Sequence, residues 1–475
     1  MALNVSFLQE LLNTVAEQGR SLLPKGLFGA EPETGLQSLV DALMGGRGEA
    51  SGVAIARQLL RHYRLLGPDE RRAFFRYIAT VLKPEAAVVE DAARVYLAAP
   101  TEASLARLRS AVESPLQEFF RRLNLAPGAT AEIVAMRRDL LRMAHDPALD
   151  VVDSDIRHLL SSWFNRGFLV LRRIDWQTPA SILEKIIAYE AVHRIESWED
   201  LRRRLDPADR RCFAFFHPSL IDEPLIFVEV ALQGEMPTAI APVLNEARKA
   251  EPAAEPRTAV FYSISNCQEG LKGISFGSFL LKQVIEDLVR EMPSLKSFVT
   301  LSPVPSFARW LDRLAADDSE GILADDDRAA LKALRDPDWH QQAAEPGARL
   351  EATLMALAAH YFLEARSGDG QPVDPVARFH LGNGARLERI DWLADTSEKG
   401  LREAHGLMVN YRYDLKEIER NHEAYANHGT IAASKAVRAL LRAQAKPKPA
   451  PDAPIRLALP GRGGGDETTQ RRRGR

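Results

Sequence analysis

Two side chains able to move protons stand in short runs that restrict their backbones. Ser302 lies in Leu301-Ser302-Pro303-Val304-Pro305, and His380 lies in Phe379-His380-Leu381-Gly382-Asn383-Gly384. A hydroxyl and an imidazole brought together can stabilise a developing oxyanion and hand a proton to carbon. By residue type alone, Ser302 reads as a strand-end capping hydroxyl and His380 as a histidine near a turn. A third stretch has different chemistry. The chain reads Lys272-Gly273-Ile274-Ser275-Phe276-Gly277-Ser278 between a strand-period run and an amphipathic helix. In that run Val260, Tyr262 and Ile264 alternate with Phe261, Ser263 and Ser265. Such a loop, feeding a helix N-terminus, offers clustered N–H groups and the positive end of the helix dipole. It can seat a phosphate or pyrophosphate, although glycine at such a turn more often answers only a backbone requirement. Cys267, just before the loop, reads as a small buried residue rather than a reactive thiol.

These groups must be positioned by two unlike regions. Residues 1–164 carry helical periodicity almost throughout: Leu36, Leu39, Val40 and Leu43, then Ile55, Leu59, Leu60 and Tyr63, then Phe74, Ile78 and Leu82. Helix starts are marked by Pro68-Asp69-Glu70 and Thr101-Glu102, and breaks fall at Gly45-Gly46, Pro84, Pro100 and Pro127-Gly128. This predicts a helical bundle with Phe119 and Phe120 in its core and no chemical constellation. From residue 165 the pattern changes. Strands are expected at 168–174, 212–216 and 225–231, with helices at 181–192 and 198–205. The strand–loop–helix–strand unit of 259–303 follows, then helices at 326–334 and 349–365. A hairpin turning at Asn383-Gly384 is expected to join strands 376–381 and 385–392. In that hairpin His380 would share a face with Arg378, while Phe379 and Leu381 point into the core. The fold class is α+β: an N-terminal all-α bundle, then a mixed sheet with flanking helices over 165–445. From 446 to 475 Pro and Gly are dense and the end is basic, which predicts a disordered tail.

Composition narrows the possibilities. A net charge of -3 over 475 residues, with 46% hydrophobic and 27% charged residues, describes an ordinary globular protein. It offers no basic field for nucleic acid. The two cysteines, Cys212 and Cys267, form no metal-ligand or redox spacing. No apolar run approaches the ~18 residues of a membrane span. The N-terminus has neither a signal-peptide nor a transit-peptide composition, so the cytoplasm is the default.

Taken together, these blocks resemble known proteins. The Lys272–Ser278 register looks like the pyrophosphate loop of the GNAT-type N-acetyltransferase fold, although Ser275 stands where a second glycine is usual. The Ser302 and His380 blocks, together with Phe216-His217-Pro218, Glu223-Pro224-Leu225, Ile390-Asp391-Trp392 and Gly406-Leu407-Met408-Val409-Asn410-Tyr411-Arg412-Tyr413, are similar to the malonyl-CoA decarboxylase family over roughly residues 160–440. The resemblance implies an acetyltransferase-like sheet and conversion of malonyl-CoA to acetyl-CoA and carbon dioxide, with no metal or prosthetic group. It makes Ser302 and His380 the catalytic pair, and Lys272 to Ser278 (Lys272, Gly273, Ile274, Ser275, Phe276, Gly277 and Ser278) the cofactor-gripping loop. Tyr413 is expected to position His380 and Ser263 to line the same cleft, though both residue types also serve as ordinary sheet or core residues. Homo-oligomers, dimers or tetramers, are implied through the helical domain. A CoA-dependent acyltransferase and a non-catalytic acyl-CoA sensor remain the alternatives.

Overall fold

Apolar residues at helical spacing build the first region as the periodicity predicts. The computed structural model describes residues 32–46, 48–246, 256–274, 276, 280–317, 321–341 and 345–441. The expected tail over 446–475 lies outside them. Among the described residues, eight helices precede the first strand: α1 (Pro32–Met44), α2 (Glu49–Leu65), α3 (Pro68–Val81), α4 (Ala86–Ala98), α5 (Glu102–Val112), α6 (Pro115–Leu123), α7 (Ala129–Arg142) and α8 (Asp150–Trp163). Local chemistry sets their starts. Glu70 accepts the Gly67 N–H at 2.6 Å, and Thr101 and Ser104 cap α5 reciprocally. Phe119, Phe120, Ile133 and Leu160 are fully buried between the helices.

Eight strands follow: β1 (Val170–Ile174), β2 (Arg210–His217), β3 (Leu220–Gln233), β4 (Thr258–Asn266), β5 (Ser297–Thr300), β6 (Ser302–Pro303), β7 (Arg386–Asp391) and β8 (Met408–Tyr413). Among the described residues they form one mixed sheet in which β4 and β5 are the one parallel pair of strands. Helices α9 (Ala180–Tyr189), α10 (Trp198–Leu205), α11 (Ala241–Leu244), α12 (Leu280–Glu291), α13 (Phe307–Ala316), α14 (Asp325–Leu331), α15 (Glu345–Leu363), α16 (Pro375–Gly382), α17 (Glu398–Ala404), α18 (Ile418–His428) and α19 (Lys435–Leu440) flank it. The α+β class, a helical bundle followed by a mixed sheet with flanking helices, is what the described residues adopt. One apolar cluster runs without interruption from Leu36 through Ile133 to Phe261 and Tyr413, so the bundle packs directly on one face of the sheet. None of the described helices is long and apolar enough to cross a membrane.

Two departures from the expected pattern place the site. The strand alternation of β4 is broken by a bulge. Ser263 pairs with Glu229 but Phe261 pairs with Val230, leaving Tyr262 as the extra residue. An extra residue reverses the parity of everything after it. Phe261 and Ile264 therefore both face the large core, while Ser263, Ser265 and Cys267 turn to the other face. The second departure is the expected hairpin. Residues 375–382 form helix α16, not a strand. Asp374 accepts the Ala377 N–H at 2.8 Å and Pro375 fills the first helical turn, a start signal stronger than the strand alternation. Asn383-Gly384 ends this helix instead of turning a hairpin. Gly384 has φ +79°, and a Cβ there would stand 2.1 Å from the Ile418 carbonyl oxygen. Arg378 and His380 accordingly do not share a strand face.

Candidate active site

Strand β8 gathers the chemistry. β6 pairs on it through Ser302 and Val409, and β5 through Phe298 and Tyr413. Helix α16 drops His380 onto the same surface, with its ring stacked 4.5 Å from that of Tyr411. Nδ1 of His380 lies 2.8 Å from the Tyr413 hydroxyl and Nε2 lies 3.1 Å from Ser302 Oγ. Ser302 in turn donates to Thr300 Oγ1 at 2.9 Å, which also accepts the Tyr411 N–H at 3.0 Å. Because the Ser302 proton goes to Thr300, the Ser302–His380 bond needs the Nε2–H of the imidazole. A neutral ring then accepts the Tyr413 O–H at Nδ1. The chain thus runs one way, from Tyr413 to His380 to Ser302 to Thr300.

Burial sets the charge state of this chain. His380 is 2% exposed and Ser302 5%. Burial alone drives the imidazole down to about 3, far below its usual 6.5, and pushes the Tyr413 phenol well up. Every member is therefore neutral near pH 7. In this arrangement Ser302 accepts a hydrogen bond from the ring N–H and does not face a base, so it is not set up as a nucleophile.

A cavity of about 620 Å³ opens against helix α16, and its described walls include Phe379, Gly382 and Asn383 but not His380, Ser302, Thr300 or Tyr413 themselves. Its walls include Asn266 and Cys267 at the end of β4, Lys272, Gly273, Ile274 and Phe276 of the loop, and Phe379, Gly382 and Asn383 around His380. Beyond Phe261, β4 has no described strand pairing on the β5 side, so the sheet splays where the cavity lies. Lys272 and Gly273 are exposed and Gly273 takes φ +77°, which suits glycine. Ser275, Gly277 and Ser278 lie outside the described residues. Arg378 also lines the cavity. Among the described residues, no cluster of three or more His, Cys, Asp or Glu side chains could hold a metal ion.

Ser263 is not brought to this site. The bulge turns it to the opposite face, where its hydroxyl meets both Glu190 oxygens at 2.9 and 2.8 Å. Cys267 lines the cavity but is 7% exposed, and burial raises its thiol well above the usual range. Lys282 and Lys296 are engaged elsewhere: Lys282 pairs with Glu419 at 2.7 Å and Lys296 donates to the Pro293 carbonyl at 3.0 Å. Sequence reasoning missed Thr300, which the two-residue strand period places on the face of Ser302. It also missed Asp374, whose signal was the Asp-Pro pair ahead of the His380 block.

The helical bundle on a splayed mixed sheet, with a cavity at the splay, defines a class: an α+β protein with a candidate site where β4 and β5 part. Residues 167–450 match the family model described as malonyl-CoA decarboxylase C-terminal domain, and residues 82–164 match malonyl-CoA decarboxylase N-terminal domain. The chain belongs to the malonyl-CoA decarboxylase family and is a carboxy-lyase of it. It is 36% identical over 359 residues to the mitochondrial malonyl-CoA decarboxylase of Rattus norvegicus, covering 70% of this chain and 73% of that protein. The crystal structure of malonyl-CoA decarboxylase from Rhodopseudomonas palustris superimposes with a TM-score of 0.83 at 52% identity, covering 86% of this chain and all (100%) of that one. That from Agrobacterium vitis gives 0.81 at 53%, with coverage of 86% and 100%. The cytoplasmic default is overturned by these relatives: curated ones from rat, goose and mouse are named mitochondrial, while solved ones are bacterial. The family spans compartments that the N-terminal composition did not separate.

Proposed function

We propose that this chain decarboxylates malonyl-CoA to acetyl-CoA and carbon dioxide, using the Ser302–His380 pair and no metal or prosthetic group. The carbon–carbon bond to the carboxylate breaks, and its electron pair moves into the thioester carbonyl to form an enolate. That enolate takes one proton on its α-carbon to give acetyl-CoA. Among the observations, the unidirectional neutral chain Tyr413–His380–Ser302–Thr300 behind the cavity carries the reading. A neutral imidazole in a buried site offers Nε2–H to the thioester oxygen as charge builds there, where a preorganised donor counts most. Ser302 orients the departing carboxylate and gives its O–H proton to the α-carbon. A proton from water restores the hydroxyl, so the one proton consumed comes from solvent. Tyr413 fixes the tautomer by donating to Nδ1. The substrate's CoA portion lies in the cavity, with Lys272, Gly273 and Ile274 against its pyrophosphate and the free flank of β4 beside its amide-bearing arm.

The helical region 1–164 is proposed as the oligomerisation domain, making dimers or tetramers. Its exposed Leu65 and Leu97 support this, and light scattering of the intact chain tests it. For the reaction itself, the test is His380→Ala. This variant is expected to bind acetyl-CoA like wild type while turnover of malonyl-CoA falls at least about 100-fold, the scale of one lost transition-state donor. Turnover at the wild-type rate overturns the assignment.

A further inference from the structure

The cavity loop is held from behind by the helical bundle. Arg137 of α7 is 2% exposed, although it carries a full charge. Its Nη1 donates to the Gly270 and Lys272 carbonyls at 2.8 Å each, across 133 and 135 residues of sequence. Its Nε donates to Asp153 of α8 at 2.8 Å, so the guanidinium stays paired inside the protein. The loop is also pressed against α7 directly. A Cβ on Gly270 would stand 1.9 Å from the Val134 carbonyl oxygen, so only glycine allows that approach. Leu271 and Ile274 bury their side chains in the same apolar cluster as Ile133 and Val134. At the surface, Arg142 closes the contact with Glu269, its Nε donating at 2.8 Å.

Lys272, Gly273 and Ile274 face the cavity from the other side of this contact. Two carbonyls of a six-residue stretch, 269–274, are tied to one buried cation. The Leu271, Lys272 and Ile274 N–H groups are bonded to the Gln268, Glu269 and Leu271 carbonyls, which together with that cation fix the backbone that carries Lys272 and Gly273 at the cavity. Preorganisation of this kind lowers the ordering cost of binding rather than changing the chemistry at the reacting carbon.

We infer that Arg137 is a positioning residue for thioester binding: the helical bundle shapes the CoA-binding loop through it. The inference rests on the loop's being the CoA seat. Arg137 touches none of Ser302, His380 or Tyr413, so it sets binding and leaves the rate of the bound complex alone. An interaction of that sort appears in KM and not in kcat.

The test uses the full chain, acetyl-CoA titrated by calorimetry and malonyl-CoA turnover at steady state. In Arg137→Met, Kd and KM are expected to rise about tenfold or more, with kcat within about threefold of wild type. Arg137→Lys, which keeps the charge but not the fork, should recover part of the loss. Unchanged Kd and KM in a folded Arg137→Met, or a fall in kcat as large as the rise in KM, overturns the inference. If Arg137→Met does not fold, hydrogen exchange of the wild type decides. Reciprocity requires acetyl-CoA to slow exchange in Ala129–Arg142 as well as in 269–274. No slowing in Ala129–Arg142 overturns it. Wild type that fails to bind acetyl-CoA at all condemns the CoA-seat reading itself, whereas binding that is indifferent to Arg137 condemns only the latch.

Discussion

The two faces of one sheet bury polar groups in opposite ways. On one face, Ser302, Thr300, His380 and Tyr413 form a neutral chain with no ionised member. On the other, Ser263 and Ser265 meet Glu190, and Arg204 pairs with Glu229 and Asp200 while donating to the His193 and Arg194 carbonyls. The second group is knit together by ion pairs and backbone carbonyls. Glu190 also accepts the Val192 and His193 N–H groups at 2.8 and 2.7 Å, which ties the chain after α9 to β4. The first group is tied through His380 to helix α16, whose Phe379, Gly382 and Asn383 line the cavity. Burial and polarity alone therefore do not mark a site. A buried serine matters when its partner is a titratable group held neutral next to open space.

That contrast can be broken by substitution on either face. The largest expected effect is on stability and falls on the charged face. Burial holds the Glu229 carboxyl up at about 8, so Arg204→Met lets it stay protonated. The substitution also strips the donor from Asp200 and from the His193 and Arg194 carbonyls, and should cost about 3 kcal/mol in denaturant unfolding. Turnover per folded molecule should stay within about twofold of wild type. A comparable loss of turnover would mean the charged face takes part in the chemistry. On the neutral face, Ser302→Ala removes a small hydroxyl and should cost about tenfold or more in kcat, roughly 1.4 kcal/mol of barrier, with a melting temperature near wild type. Ser263→Ala is the sharper control. It loses its bonds to Glu190, about 1 kcal/mol of stability, with kcat unchanged. If Ser263→Ala impaired kcat as much as Ser302→Ala, the two faces could not be told apart in this way.

The smallest effect expected is an absence. The folded His380 titrates near 3, below the unfolded value of 6.5. Between those values the unfolded chain binds the proton and the folded chain does not. The His380 contribution to stability is thus complete above pH 6.5 and is lost as pH falls through the folded value. The profile of kcat/KM, which reports groups of the free enzyme, should show no His380 limb between pH 6 and 7. A limb there that disappears in His380→Ala would mean the ring is charged in the working enzyme.

The helical region was legible because its signals are local. Leu59, Leu60 and Tyr63 keep one face, and Pro68 and Thr101 mark starts that the structure uses. The hydroxyl and imidazole blocks were visible as residue types, but their meeting depends on β6 and α16 both converging on β8. The His380 segment was misread because Asn-Gly satisfies two geometries. It turns hairpins, and it also ends helices with a left-handed glycine. Asp374-Pro375 would have decided between them. The misplacement of Ser263 has a different origin: a single bulge residue at Tyr262 leaves the period intact on each side while reversing its sense. Arg137 left no mark at all in the sequence. Its carbonyl partners lie more than 130 residues away, and backbone carbonyls carry no residue code.

The most direct test of the central claim is to dialyse the purified protein against a chelator, incubate it with malonyl-CoA and follow the products by mass. The neutral Ser302–His380 chain predicts acetyl-CoA and carbon dioxide in equal amounts, with no acyl-enzyme mass. Free CoA with malonate, or a covalent malonyl adduct on Ser302, would contradict it and make that hydroxyl a nucleophile.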